Sequence, residues 1–231
     1  MAVFSGPEIV NNGLVLHLDA ANQRSYSGSG TTWNDLANGN NGTLTNGPTY
    51  SSDNNGSIVF DGVNDYVDCG SATFLGSSLT GLTVSLWLNF SKIGTQMIAE
   101  NGTSYNTNTF YIAAENATNL SFLVNNNGTY SRIFATSSYT TNTWYNFVGV
   151  WEPNTQTRAF INGVNTSQSH QGASHLVSEL QSGNTNLLLG IRPGNSIPFQ
   201  GSVSNFSIYN RTLTAEEIKQ NFEALRGRYN V

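Results

Sequence analysis

Charge is what this sequence has least of. Asp, Glu, Lys and Arg make up 10% of its 231 residues, against about a quarter in an ordinary globular chain. The little charge there is tilts acidic: nine Lys and Arg against fourteen Asp and Glu, for a formal net charge of −5. Phosphate binding needs a basic face, so nucleic acid is excluded as a partner. Lys219, Arg226 and Arg228 form the one basic cluster, at the end of an expected helix, where cations complement the C-terminal carbonyls. A single cysteine, Cys69, excludes an intrachain disulfide; it is read as a small, half-buried side chain at a strand end. No apolar run approaches the ~20 residues of a membrane span, so membrane insertion is not expected. Residues 1–7 combine no basic segment with an apolar one, so secretion by a signal peptide is not expected and synthesis in a cytoplasm is.

What is present is a polar, uncharged background of Asn, Ser, Thr and Gly punctuated by aromatics, which make up 11% of the chain. Short apolar runs recur between Gly, Asn and Ser clusters, the pattern of an all-β sandwich or barrel. Leu14–Leu18 reads as a first strand. Ser57–Phe60 and Tyr66–Asp68 flank a turn over residues 61–65. In Leu82–Phe90, positions Leu82, Val84, Leu86, Leu88 and Phe90 share one face and Trp87 lies on the other. Trp144–Trp151 is almost continuously apolar, as a strand buried on both faces would be. Arg158–Val164 is a hairpin whose Asn162-Gly163 pair suits a type I′ turn. Leu187–Ile191 and Gly201–Tyr209 follow, the latter with Phe206 and Ile208 on one face.

One helix closes the chain. Thr214 is a natural N-cap, Glu217 completes a capping box, and Leu213 with Ile218 occupies the two staple positions. Ile218, Phe222 and Leu225 form the buried stripe, and Gly227 is placed for a C-cap. No repeat or linker divides residues 13–231. Residues 1–12 are a separate arm of apolar positions (Val3, Phe4, Ile9, Val10) kept extended by Pro7. The arm is expected to pair with the domain's own sheet or to add to a neighbouring protein's edge.

Several segments resemble the laminin-G-like, concanavalin A-like family found in many phage structural proteins. These are residues 13–22, 26–36, 38–44 and 60–67 (Phe60-Asp61-Gly62-Val63-Asn64-Asp65-Tyr66-Val67), then Phe160–Val164 and Ile208–Ile218. The resemblance runs from about residue 13 to the C-terminus. It implies two curved antiparallel sheets in jelly-roll order with one short C-terminal helix. It also implies a virion surface protein (a capsid decoration, head-fibre or tail-associated domain) whose partners are other virion proteins or further copies of itself. Adhesion to host surface glycans would accompany that role. The alternative is a free-standing carbohydrate-binding module, and the absent secretory signal favours the virion.

Catalysis is not expected. A retaining glucanase needs two carboxylates about 5–5.5 Å apart, which along one strand means positions two or four apart, and no Glu-x-Asp-x-Glu run exists. His17, His170 and His175 lack transition-metal spacing, and His170 and His175 read as surface loop residues. Asp61, Asn64 and Asp65 offer hard oxygen donors for calcium, but the same residues make Asx turns. The loop Asn101–Asn108 has amides and no acid, which argues against a pentraxin-type calcium site. Its Asn101 and Asn106 amides would hydrogen-bond sugar hydroxyls while Tyr105 stacks on a sugar face. Asn125–Tyr130 offers a second such surface through Tyr130. Both segments read first as solvated hairpin tips rich in turn formers.

Overall fold

The computed structural model describes residues 7–75, 79–102, 109–171, 176–180, 185–192, 194 and 196–231, with backbone alone for 167–171. In chain order its strands are β1 (Leu14–Asp19), β2 (Thr32–Trp33), β3 (Gly42–Thr45), β4 (Thr49–Ser51), β5 (Ser57–Asp61) and β6 (Tyr66–Ser71). Then come β7 (Leu82–Phe90), β8 (Gln96–Asn101), β9 (Phe110–Ala114), β10 (Asn119–Asn126), β11 (Thr129–Thr136) and β12 (Trp144–Trp151). The last are β13 (Arg158–Ile161), β14 (Val164–Asn165), β15 (Ser167–Gln171), β16 (Asn186–Leu189) and β17 (Gln200–Tyr209), followed by the helix α1 (Ala215–Leu225).

The strands form two antiparallel sheets. The first runs β14-β13-β12-β7-β17-β5-β4, and the second runs β15-β11-β10-β9-β8-β16-β6-β3-β2. β17 organises the first sheet. One edge lies against β7 along Gly201–Tyr209, while the other is shared, β5 taking Gln200–Val203 and β1 taking Asn205–Tyr209. The turn over 61–65 carries the chain from the first sheet (β5) to the second (β6).

The core between the sheets is built by period-two alternation. β7 contributes Leu82, Val84, Leu86, Leu88 and Phe90 to it, while Trp87 faces outward. β12 is buried along its whole length, as its apolar run implied. Gly149 on β12 lies against Phe122 of the other sheet, and an added Cβ there would stand 2.4 Å from the ring.

The outer face of the first sheet is roofed by α1. Leu213 and Ile218 pack on Val148, Val150, Phe160 and Tyr209, and Phe222 and Leu225 pack on Trp87 and Trp144. The cap forms as the sequence implied: the Glu217 amide donates to Thr214 Oγ1 at 3.2 Å, and the Thr214 amide donates to Glu217 Oε2 at 2.9 Å.

The C-terminal end departs from expectation. Gly227 does not adopt a left-handed conformation; the chain runs on into a 3-10 turn over Arg226–Arg228. That turn swings Tyr229 onto Trp87, with ring centroids 4.0 Å apart. It also carries Arg228 to Asp19 on β1, making bonds of 2.8 and 2.9 Å. Arg226 pairs with Glu223 at 2.5 Å. These cations are thus engaged by carboxylates, and the last turn of α1 holds no basic residue.

Residues 7–12 of the arm form no strand and lie against α1, while 1–6 are outside the described residues. Gln220 Nε2 donates to the Glu8 carbonyl and the Val10 amide donates to Asn221 Oδ1, both at 2.8 Å. Asn221 also donates to the Tyr209 hydroxyl at 3.0 Å, so one buried amide ties arm, helix and sheet together.

Candidate functional site

No described helix covers the outer face of the second sheet; the centre of that face is buried at Glu100, Tyr111 and Leu123, and its β11 edge keeps Tyr130, Arg132 and Phe134 half-buried. Alternation places one row of side chains across this face: Asp68 (β6), Leu188 (β16), Glu100 (β8), Tyr111 (β9), Leu123 (β10) and Arg132 (β11), each in register with the next. Met97, Ala113 and Leu123 pack around Tyr111, with Tyr130 and Ile197 against them. Ile197 has a φ of +56°, a left-handed conformation that a β-branched residue adopts only under constraint. Its carbonyl accepts from the Met97 amide at 2.9 Å, which helps to hold it there.

Two ion pairs lie on this face. Arg192 Nε donates to Glu100 Oε2 at 3.0 Å, where Glu100 is wholly buried. Arg132 pairs with Glu115, whose Oε1 also accepts from Ser121 Oγ at 2.6 Å. Both guanidiniums flank Tyr111, at 5.8 and 5.9 Å from its ring centroid. Arg132 lies closer to the Phe134 ring, at 4.6 Å, a cation–π distance.

Asp68 and Glu100 share the row with one strand between them, so their Cα atoms are roughly 9–10 Å apart. Looking for carboxylates along one strand misses such a pair, because register across strands brings them together. Both are engaged by neighbouring donors. Asp68 accepts from the Gly70 amide at 2.8 Å and from Asn186 Nδ2 at 2.9 Å, and the Arg192 guanidinium favours the ionised form of Glu100.

The residues singled out from sequence fall in different places. Tyr130 is on the outer face, half-buried. Asn101 points inward, fully buried, with Nδ2 donating to the Thr185 carbonyl at 2.8 Å, so it braces a corner and is closed to a sugar. Tyr105 and Asn106 lie outside the described residues. Asn127 and Gly128 take φ of 48° and 88°, with the Gly128 amide donating to Asn125 Oδ1 at 2.9 Å, which is tight-turn chemistry.

The carboxylates of Asp61 and Asp65 serve the backbone of their own turn. Asp61 Oδ1 accepts from the Val63 amide at 2.7 Å, and Asp65 Oδ2 accepts from the Asp61 amide at 3.0 Å. Asn64 offers its carbonyl to Asn46 Nδ2 at 3.0 Å. Burial pushes the Asp65 carboxyl above its ordinary value, partly offset by the Asp61 amide, and the Asp61 charge adds to the rise. Among the described residues no group of three or more His, Cys, Asp or Glu side chains stands together to hold a metal ion.

His170 lies in β15 rather than in a loop, and His175 is outside the described residues. His17 is buried under the arm and α1, its Nδ1 2.9 Å from Ser207 Oγ. Cys69 is fully buried rather than half-buried, and burial raises its thiol pKa beyond use as a nucleophile. No described helix is long and apolar enough to cross a membrane.

The family model of the concanavalin A-like lectin/glucanases superfamily matches residues 61–219. The chain belongs to this superfamily. No curated protein matches the sequence, whereas solved structures of this superfamily's fold do. Trypanosoma rangeli sialidase superposes with a TM-score of 0.67 at 15% identity, over 95% of this chain and 34% of that one. The receptor binding domain of botulinum neurotoxin C/D mosaic serotype gives 0.68 at 15% identity, over 93% and 52%. Domain 4 of AbnA, a GH43 extracellular arabinanase from Geobacillus stearothermophilus, in complex with arabinotriose, gives 0.66 at 16% identity, over 91% and 98%. The superfamily member described here thus spans about a third of the sialidase, half of the toxin domain and nearly all of the arabinanase domain.

Proposed function

We propose that this superfamily member is a non-enzymatic glycan-contact domain, and that the outer face of its second sheet is the contact surface. The observation that carries this reading is the contrast between the two outer faces. α1 and the arm roof the first, while the second presents half-exposed rings beside charges that neutralise one another. Sugars suit such a surface, because their apolar faces rest on rings and their hydroxyls bond to amides and ion pairs alike. Among similar folds, the arabinanase domain holds arabinotriose and the sialidase has been solved with sialic acid.

The setting we propose is a bacteriophage virion surface, with host glycans as the target and other virion proteins or further copies of the chain as partners. The ordered run of short motifs between Gly13 and Ile218 supports it. The alternative setting is a free-standing carbohydrate-binding module. The engagement of Asp68 and Glu100 by neighbouring donors supports the non-enzymatic part of this reading, and calcium is not required for binding in it.

The test is an immobilised glycan array probed with the whole chain, in calcium and in chelator, alongside an assay for released reducing ends. Retention of defined glycans without cleavage supports the proposal. Cleavage abolished by Glu100→Gln or Asp68→Asn would overturn its non-enzymatic part, and loss of binding in chelator would overturn its metal independence.

A further inference from the structure

We infer that the ligand is a neutral, linear oligosaccharide lying along β11, with one sugar ring on Tyr130 and another on Phe134. This rests on the glycan-contact reading and adds the class of glycan and its direction.

The first argument is spacing. Tyr130, Arg132 and Phe134 alternate with the inward-facing Ser131 and Ile133, so they line the outer face of one strand. Four residues of antiparallel strand put the two aromatic positions about 14 Å apart, the length of a short oligosaccharide rather than of one sugar. Both rings are half-buried, Tyr130 against the Tyr111 cluster and Phe134 beneath the Arg132 guanidinium.

The second argument is charge. Among the described residues of this face, Arg132 and Arg192 are each paired with a carboxylate, Glu115 and Glu100. Asp68 adds a further negative charge to the row. An acidic sugar would have to displace Glu100 or Glu115 from its guanidinium and then lie near uncompensated carboxylates, which is unfavourable. A neutral diol faces no such competition. One hydroxyl accepts from a guanidinium while its neighbour donates to the paired carboxylate, leaving the ion pair intact.

The third argument is an unused donor. Arg132 Nε is shielded from solvent and has no hydrogen-bond partner among the described residues, although its side chain keeps 16% exposure. It lies between the two ring positions, where a bridging hydroxyl would satisfy it after a small rotation of the guanidinium.

The experiment is calorimetric titration of the whole chain with neutral tri- to hexasaccharides (arabino-, xylo-, cello- and laminari-oligosaccharides), against sialyllactose and oligogalacturonides. Tyr130→Ala, Phe134→Ala and Phe134→Tyr are run beside it, with near-ultraviolet circular dichroism to verify the fold. A neutral series should bind, more tightly as it lengthens past the disaccharide and with little dependence on salt. Each alanine variant should weaken it by about tenfold or more, equivalent to ~1.4 kcal/mol, and Phe134→Tyr should restore it. Preference for the acidic glycans, or neutral binding that survives both alanine variants in folded protein, would overturn this inference while leaving the glycan-contact reading in place. If neither these probes nor any arrayed glycan binds, both fall.

Discussion

Across the first sheet the outward row reads Asn146, Trp87, Asn205 and Asp19; across the second it reads Asp68, Leu188, Glu100, Tyr111, Leu123 and Arg132. Both mix aromatic and charged side chains, yet a helix roofs the first and no described helix roofs the second. On the first, Asp19 finds its cation only in Arg228, which the chain delivers from beyond α1. The same segment lays Tyr229 and Phe222 over Trp87. On the second, each guanidinium finds its carboxylate within the face or the loop beside it. No described helix roofs this second face, and Tyr130, Arg132 and Phe134 along its β11 edge stay half-buried. The roof fits its apolar partners better than its polar ones: Asn146 Oδ1, Trp87 Nε1 and Asn205 Nδ2 are buried beneath it with no hydrogen-bond partner among the described residues.

The largest expected difference between the faces is in stability. Trp87→Ala removes a fully buried ring that two others stack on, and should cost about 3–5 kcal/mol. Chemical denaturation followed by intrinsic fluorescence measures it. A loss under about 1 kcal/mol would mean that the roof is held by something other than this cluster.

Acid should loosen the roofed face next. Burial lowers the pKa of His17 below its ordinary 6.5, opposed by the Asp19 and Asp35 charges and aided by Arg228. The unfolded chain therefore takes up this proton first. The His17 contribution is complete above pH 6.5 and declines as the pH falls below it, by up to ~1.4 kcal/mol per pH unit for one proton. Most carboxylates titrate lower, so the window from pH 6.5 to 5 isolates histidine. Stability curves of the wild type and His17→Asn should diverge there, the variant being flatter. Parallel curves would assign the slope to another group.

Thr214→Ala removes the side-chain half of the cap and should cost about 1 kcal/mol, read from the denaturation midpoint. The smallest stability effect belongs to the open face. Phe134→Ala truncates a half-exposed ring and should cost about 1 kcal/mol or less while weakening sugar binding about tenfold. If Phe134→Ala destabilises as much as Trp87→Ala does, the two faces do not differ in kind.

Much of the architecture was legible in residues taken locally. Leu82 to Phe90 declares its two faces by alternation, Asn162-Gly163 declares its turn, and Thr214 with Glu217 declares its cap, because each is decided by neighbours a few positions away. The misreadings have a common cause. Gly227 was expected to stop the helix, and Arg226 and Arg228 to serve its last carbonyls, since nothing nearby in the chain shows Asp19 waiting more than two hundred residues away. Asn101 was expected at a surface because Asn usually is, but its side chain is drawn inward to the Thr185 carbonyl.

The sequence by itself therefore determined the class of fold, the strand faces, the hairpin turn and the N-cap of the closing helix, all consequences of side-chain alternation and local backbone preference. Only the tertiary structure decided which carboxylate meets which guanidinium, which face α1 covers, and that Tyr111 lies between Arg132 and Arg192. Those depend on the register of strands far apart in the chain. A one-residue slip in any of them would turn the row to the other side of the sheet.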